Sequence, residues 1–181
     1  GISHGKELSL LSGILPPKTL STVVADGSKL RALPHDLQGF YDYDDALAYS
    51  KEVGKPLFID FTGYACANCR KMEENVWTDP LVMSFIQNNF ILLSLYVDDR
   101  AMLPVEKRFT YINKSGQPKD INSVGDMWAT FQAENFNQVT QPLYVVLSAN
   151  QQLLSNPVGY TPNIQAYLYW LKCRLSQIKN K

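Results

Sequence analysis

Three apolar runs along the chain predict the strands of a sheet. They occupy positions 57–61, 90–97 and 143–147 and contain few polar residues. The run at 90–97 is nearly all apolar and predicts a buried central strand. Continuous apolar runs of this length are typical of strands buried on both faces, whereas half-buried strands alternate apolar and polar residues. We therefore predict a central sheet covered on both sides, with a turn at Ala149-Asn150 and a short return strand at 152–154.

The segments between these runs follow helical spacing. Around 43–52, acidic residues come first and a lysine comes late, as the helix dipole favours, and Gly54 ends the pattern. The last helix opens with Thr161 as its cap and Pro162 in its first turn, and runs to about 178. Between these, helices are predicted at 70–76, at about 80–88 and at about 124–134. The second of them begins at Pro80, with Thr78 or Asp79 as its cap. The order β-α-β-α followed by β-β-α indicates an α/β domain with a mixed sheet flanked by helices.

Two segments lie outside this pattern. Residues 1–35 are poorly patterned, apart from a short amphipathic stretch that Pro16-Pro17 ends. We interpret 1–35 as a linker or tether, with a disordered leader as the alternative, and 36–181 as the folded domain. Residues 100–121 include Asn113-Lys-Ser-Gly-Gln-Pro118 and predict a hairpin-like excursion.

Composition narrows the class of protein. The chain has 181 residues, 45% hydrophobic and 19% charged, with a formal net charge of zero, as in an ordinary globular protein. Lys and Arg are scattered, and no aromatic-basic stripe suits nucleic acid. No apolar run reaches the roughly 18 residues of a membrane-spanning helix. We expect a monomer and, because the sequence begins at Gly1 rather than Met, a piece of a longer chain.

The candidate chemistry lies in Cys66-Ala67-Asn68-Cys69, directly after the first apolar run and directly before a helical pattern. Two thiols at the start of a helix that follows a strand are the context of a redox centre. The unpaired N–H groups and the positive dipole end stabilise a thiolate there. We therefore assign Cys66 as the nucleophile and Cys69, which comes round onto the same face, as the cysteine that resolves the mixed disulfide.

Two other interpretations of the cysteine pair stay open. A structural disulfide rarely encloses so few residues, because so small a loop constrains the unfolded chain little. Half of a zinc site would need further ligands, and the chain offers only Cys173, His4 and His35. We expect no metal and no bound cofactor. Cys173 itself is interpreted as a buried small hydrophobe in the last helix, with a regulatory thiol as the alternative.

Two carboxylates accompany the cysteines. Asp60 lies inside an apolar strand, where desolvation would raise its pKa and equip it to exchange a proton with the Cys69 sulfur; the alternative is a solvated acid at the strand end. Glu73 falls on the helix face that a core would bury and is expected to tune the same proton transfer; the alternative is an ordinary surface acid. Tyr64 and Ala65 precede the nucleophile and are expected to shape its rim.

This arrangement resembles the thioredoxin fold, and three positions carry the resemblance beyond the cysteine pair. Asp60 lies six residues before Cys66, where thioredoxins have a buried acid. Gln141-Pro142 precedes the later strand, where thioredoxin-like proteins have a cis-proline. Glu73 lies four residues after Cys69, where the C-terminal domain of DsbD-type thiol:disulfide interchange proteins has a second acid. Residues 58–80 as a whole look like that domain, and the resemblance covers about 36–178.

The resemblance implies a thioredoxin fold with a mixed central sheet, an insertion before the cis-proline and an N-terminal linker. It implies a thiol:disulfide oxidoreductase that reduces its partners, with Pro142 and the Gln141 backbone contacting an extended substrate segment. Electrons would come from a membrane-embedded domain of the same parent chain and pass to disulfide proteins in the periplasm, cytochrome c biogenesis among them. The alternatives are a free-standing thioredoxin-like reductase or oxidase and a binding module whose cysteines do not turn over. The span from Asp98 to Pro142 is longer than a plain thioredoxin needs.

Overall fold

The structure is a computed structural model that describes residues 27–179. Within this range the helices are α1 (Tyr43–Val53), α2 (Ala67–Asn75), α3 (Pro80–Asn89), α4 (Val124–Phe136) and α5 (Ile164–Lys179). The strands are β1 (Arg31–Ala32), β2 (Gln38–Gly39), β3 (Leu57–Thr62), β4 (Ile91–Tyr96), β5 (Phe109–Ile112), β6 (Pro118–Ile121) and β7 (Leu143–Leu147). Short 3₁₀ turns lie at Gly27–Lys29, Pro34–Asp36 and Val105–Lys107. In this part of the chain no helix is long and apolar enough to span a lipid bilayer.

β3, and not the run at 90–97, is in the middle of the three-stranded sheet, because β4 and β7 pair with its two edges. β3 runs parallel to β4, with Leu57 opposite Ile91, and antiparallel to β7, with Phe61 opposite Leu143. All residues of these three strands are buried. Single bridges extend the sheet beyond β4 at Phe40. The predicted mixed sheet is confirmed.

The predicted return strand at 152–154 does not form as a strand and is reduced to isolated bridges. Leu153 pairs with Leu147, but Val158 pairs with Tyr144, so the register along β7 shifts by two residues between the bridges. Pro157 lies in the interrupted part and has no N–H to donate to a ladder.

Helix starts follow the expected chemistry at two places and differ at a third. Asp42 caps α1, and Gly54 ends it in the left-handed conformation at φ 70°. Asp79 caps α3, with Pro80 in the first turn. The expected cap Thr161 is wrong for α5, because Asn163 accepts from the Ala166 N–H at 2.9 Å. The Thr161 hydroxyl instead donates to the Gly159 carbonyl.

The two faces of the sheet carry separate apolar layers. One layer contains Leu57, Ile59 and Phe61 of β3 with side chains from α1 and α4. The other contains Phe58 of β3 with side chains from α2, α3 and α5, including the buried Trp77 that follows α2. Because side chains alternate along a strand, Asp60 points to the same face as Phe58, the face that α2 covers.

The described part of 1–35, from residue 27, and the segment 100–121 both contact the domain. β1 pairs with β2, and Leu33 and Leu37 are buried against the α2 side of the core. The boundary between 35 and 36 stays a prediction, and the amphipathic stretch before Pro16-Pro17 lies outside the described residues. The excursion at 100–121 contains the expected hairpin, β5 with β6, and its Tyr111 and Ile121 join the core on the α4 side.

Candidate redox-active site

The two cysteines are joined in a disulfide where β3 passes into α2. Their sulfur atoms are 2.08 Å apart and their Cα atoms 5.2 Å apart. Cys66 is the N-cap of α2, and its sulfur accepts from the Cys69 N–H at 3.1 Å. Cys66 is partly exposed, whereas Cys69 is 2% exposed. One sulfur can therefore meet another protein's disulfide while the other is shielded from it.

The position of Cys66 at the helix start favours its thiolate in the reduced state. The free N–H groups of the first turn and the positive dipole end typically stabilise a nearby anion by about 0.3–1 kcal/mol, and hydrogen bonds to a charged sulfur add to this.

The zinc interpretation gains no further ligand, because residues 27–179 contain no cluster of three His, Cys, Asp or Glu side chains suited to a metal.

Asp60 is buried beneath this helix, as its apolar strand predicts. It is 2% exposed, and desolvation, with a smaller contribution from the charge of Glu73, raises its pKa from 3.8 to about 8. Arg70 and a hydrogen bond from the Ser94 hydroxyl at 3.4 Å oppose the rise. A carboxyl group with this pKa is mostly protonated at pH 7 and close to a thiol in acidity, which suits proton exchange with one.

Glu73 is buried as well, so the interpretation as a surface acid is wrong. It is 5% exposed, and burial raises its pKa, while the nearby Arg70 opposes this. One nitrogen of the Arg70 guanidinium, Nη2, donates to Glu73 Oε1 at 2.9 Å and to Thr62 Oγ1 at 3.1 Å. The cation that follows the cysteine pair is therefore held between the helix and the end of β3.

A residue that the sequence reasoning missed holds the loop before Cys66. The Asp98 carboxylate accepts from the Tyr64 N–H at 2.8 Å and from the Ala65 N–H at 3.0 Å. Glycine at position 63 allows this approach, since a Cβ there would lie 3.1 Å from the carboxylate. The available signal was the acidic pair that follows β4, because parallel neighbours β3 and β4 end at the same edge.

The rim beside the disulfide is aromatic. The Tyr64 ring, which is 62% exposed, stacks on Tyr96 at 4.1 Å between centroids. The Tyr41 ring also contacts Tyr96, at 6.0 Å between centroids. Burial raises the pKa of Tyr96 to about 12, so its hydroxyl stays protonated at neutral pH. Ala65 is exposed between this rim and Cys66.

The predicted cis-proline, Pro142, lies in a loop at 139–142 that we call the proline loop. This loop is at the edge of the sheet where β3 ends. The Gln141–Pro142 peptide bond is cis, as expected. Because Phe61 pairs with Leu143, Pro142 lies at the strand end next to Thr62, where the chain turns toward Cys66. Cys173 lies on α5 and is only partly buried, which corrects its interpretation as a buried small hydrophobe.

Fold and site together define the class of protein: a thioredoxin fold in which a partly exposed disulfide at a helix start lies at the same edge of the sheet as a proline loop. Its redox pair is Cys66 and Cys69. Sequence comparison agrees, since residues 37–117 match the thioredoxin-like family model.

Two solved structures with TM-scores above 0.5 share the fold at low sequence identity. A thioredoxin from Thermus thermophilus is 20% identical, with a TM-score of 0.52 over 74% of this chain and 84% of that one. A DsbH oxidoreductase is 18% identical, with a TM-score of 0.54 over 89% of this chain and 95% of that one. The oxidised C-terminal domain of Neisseria meningitidis DsbD is 14% identical, with a TM-score of 0.48 over 75% of this chain and 98% of that one. Among curated protein sequences, none matches.

The chain has a thioredoxin-like fold. It combines the fold of thiol-disulfide oxidoreductases with a Cys66–Cys69 pair.

Proposed function

We propose that this domain is a thiol:disulfide oxidoreductase that reduces the disulfides of other proteins. The observation that carries the proposal is the asymmetry of the pair: Cys66 is partly exposed at a helix start, and Cys69 is buried behind it. Attack by an accessible thiolate, followed by release through a shielded neighbour, requires this arrangement.

In the proposed cycle, the Cys66 thiolate attacks one sulfur of a partner disulfide. A bond forms between Cys66 and that sulfur, and the partner's other sulfur leaves as a thiolate and takes up a proton. Cys69 then loses its proton and attacks Cys66, so that the Cys66–Cys69 disulfide forms again and the second partner sulfur leaves as a thiol. The partner gains two electrons from the domain and two protons, one from Cys69 and one from water, to which Cys66 released its own proton when it ionised. We assign Asp60 to exchange a proton with Cys69, with the ionised fraction of the carboxyl accepting the thiol proton and Glu73 tuning the pKa of Asp60.

The reducing direction is supported by the charges around the pair. Ala67 and Asn68 place no imidazolium between the cysteines. The Arg70 cation is paired with Glu73 rather than directed at the disulfide, so its charge is largely compensated. A thiolate with little extra stabilisation belongs to a pair that gives up electrons readily, since strong stabilisation of the reduced form makes an oxidant.

For the partners and the compartment, the support is the resemblance of residues 58–80 to the C-terminal domain of DsbD-type proteins. On that basis the electron donor is a dithiol in a membrane-embedded domain of the same parent chain, which reduces the Cys66–Cys69 disulfide and is itself oxidised. The recipients are periplasmic disulfide proteins, those of cytochrome c biogenesis among them, and the domain works as a monomer near the inner membrane.

The test is covalent trapping with a matched control. Cys69→Ser keeps the nucleophile and removes the resolving sulfur, so mixed disulfides with partner proteins should accumulate after thiol quenching. Cys66→Ser keeps Cys69 and Cys173 and should give none. Adducts in both variants or in neither would contradict the proposed cycle, and their absence from both would favour a binding module. A reduction potential of the pair near that of strong oxidants, about −120 mV, would overturn the direction.

A further inference from the structure

A buried amide in α4 holds the proline loop, residues 139–142. Gln132 is 1% exposed, although glutamine is usually a surface residue. Its Nε2 donates to the Thr140 carbonyl at 2.8 Å, and its Oε1 accepts from Gln141 Nε2 at 2.7 Å. Gln141 Nε2 also donates to the Val139 carbonyl at 3.1 Å. The buried amide thus ties two consecutive loop residues, Thr140 and Gln141, to the helix, and the Gln141 side chain in turn holds Val139.

These bonds engage the side chain of Gln141 but not its main chain. The Gln141 side chain is used up in contacts to Gln132 and Val139. Its main-chain N–H and C=O, by contrast, make no hydrogen bond with any other residue in the range 27–179. They lie at the sheet edge where β3 leads to Cys66, because the β3–β7 register continues from Phe61 and Leu143 toward this loop. Unpaired main-chain groups at such an edge can pair with an extended chain.

An apolar residue at position 132 would also fill this face of α4 and would need no hydrogen-bond partner. A buried amide is stabilising only when its donor and acceptor are both satisfied, and here each makes one short bond to the loop. α4 also contains Thr130, which is 4% exposed and whose hydroxyl finds no partner among the described residues. The contrast indicates that the polarity at 132 serves the loop and not the helix.

We propose that Gln132 is a positioning residue for substrate: it fixes the proline loop so that the Gln141 main chain is presented to an extended segment of a partner protein beside the disulfide. This inference rests on the proposed function. It concerns binding of a polypeptide substrate and assigns Gln132 no part in the sulfur chemistry.

The experiment compares Gln132→Leu with Thr130→Val, a matched buried substitution in the same helix. Steady-state reduction of insulin, driven by dithiothreitol, reports on a polypeptide substrate. The rate at which the reduced pair reacts with 5,5′-dithiobis(2-nitrobenzoate) reports on the cysteines alone. For Gln132→Leu we expect the insulin KM to rise about tenfold, from the loss of two hydrogen bonds that order the loop, with kcat within twofold. The small-disulfide rate and the reduction potential should stay at wild-type values, and Thr130→Val should change none of these quantities.

A second variant keeps the test independent of folding. Gln141→Ala removes the side chain that Gln132 holds, at a half-buried loop position, and should raise the insulin KM about threefold. Since both substitutions act on one hydrogen-bonded pair, the double variant should have the KM of Gln132→Leu alone. Additive effects, an unchanged KM in Gln132→Leu, or an equal loss toward the small disulfide would overturn the inference while leaving the proposed function intact. A wild-type protein that reduces no insulin would overturn both.

Discussion

Replacing Asp60 with Asn tests the electrostatics of the site directly. In the folded protein the pKa of Asp60 is raised from 3.8 to about 8, chiefly by desolvation. As the pH rises past about 4, the unfolded chain loses this proton first, so the stability of the wild type falls until the folded carboxyl also ionises near pH 8. At about 1.36 kcal/mol per pKa unit, the loss is on the order of 5 kcal/mol. An amide does not ionise, and Asp60→Asn should escape this loss.

The assay is urea unfolding of the oxidised proteins between pH 4 and 9, with the disulfide intact. The stability of Asp60→Asn relative to wild type should increase steadily from about pH 4 to about 8 and then level off. Any fixed cost of burying the amide changes the stability difference from wild type by the same amount at every pH. The test is therefore the slope of that difference against pH. The opposite case is Asp126, where hydrogen bonds from Ser123 and Asn122 lower the pKa against the effect of burial. Asp126→Asn should lose stability relative to wild type above about pH 4. If the difference between Asp60→Asn and wild type does not change with pH, the reasoning about Asp60 is refuted.

Three further outcomes are expected. Asp98→Asn should speed hydrogen exchange of the Tyr64 and Ala65 amides by about tenfold, since a charge-assisted hydrogen bond contributes about 1.5–3 kcal/mol. The control is Asp99→Asn, which should leave both exchange rates unchanged because the Asp99 carboxylate accepts from the Ala101 N–H instead. Glu73→Gln should lower the pKa of Asp60, because the Glu73 charge helps to raise it; a ¹³C titration of the Asp60 carboxyl measures this, and a rise would contradict it. Ser123→Ala removes the side-chain cap of α4 and should cost about 1 kcal/mol in urea unfolding, and an unchanged midpoint would show that the cap contributes nothing.

Much of the fold followed from short-range patterns. The apolar run of β3 predicted the burial of Asp60, since no position in such a strand faces water. Its place in the middle of the sheet was not predicted, because the order of strands depends on long-range pairing. The cap at Asp79 and the stop at Gly54 were equally local. The start of α5 was missed because Thr161 and Asn163 are both good caps, and local chemistry does not choose between them. The return strand failed for a related reason: its register against β7 is a long-range property.

By itself, the sequence determined the chemistry of this protein: two thiols at the start of a helix, an acid in an apolar strand, and a proline before a strand are each set by neighbours within a few positions. Tertiary structure alone decided what surrounds that chemistry. Asp98 lies 34 positions from Tyr64, from whose N–H it accepts a hydrogen bond. Gln132 is buried and hydrogen-bonded to the proline loop only because the fold brings α4 and this loop together. Polar residues of this kind look like surface residues in a sequence, because their partners are set by which strand ends share an edge of the sheet.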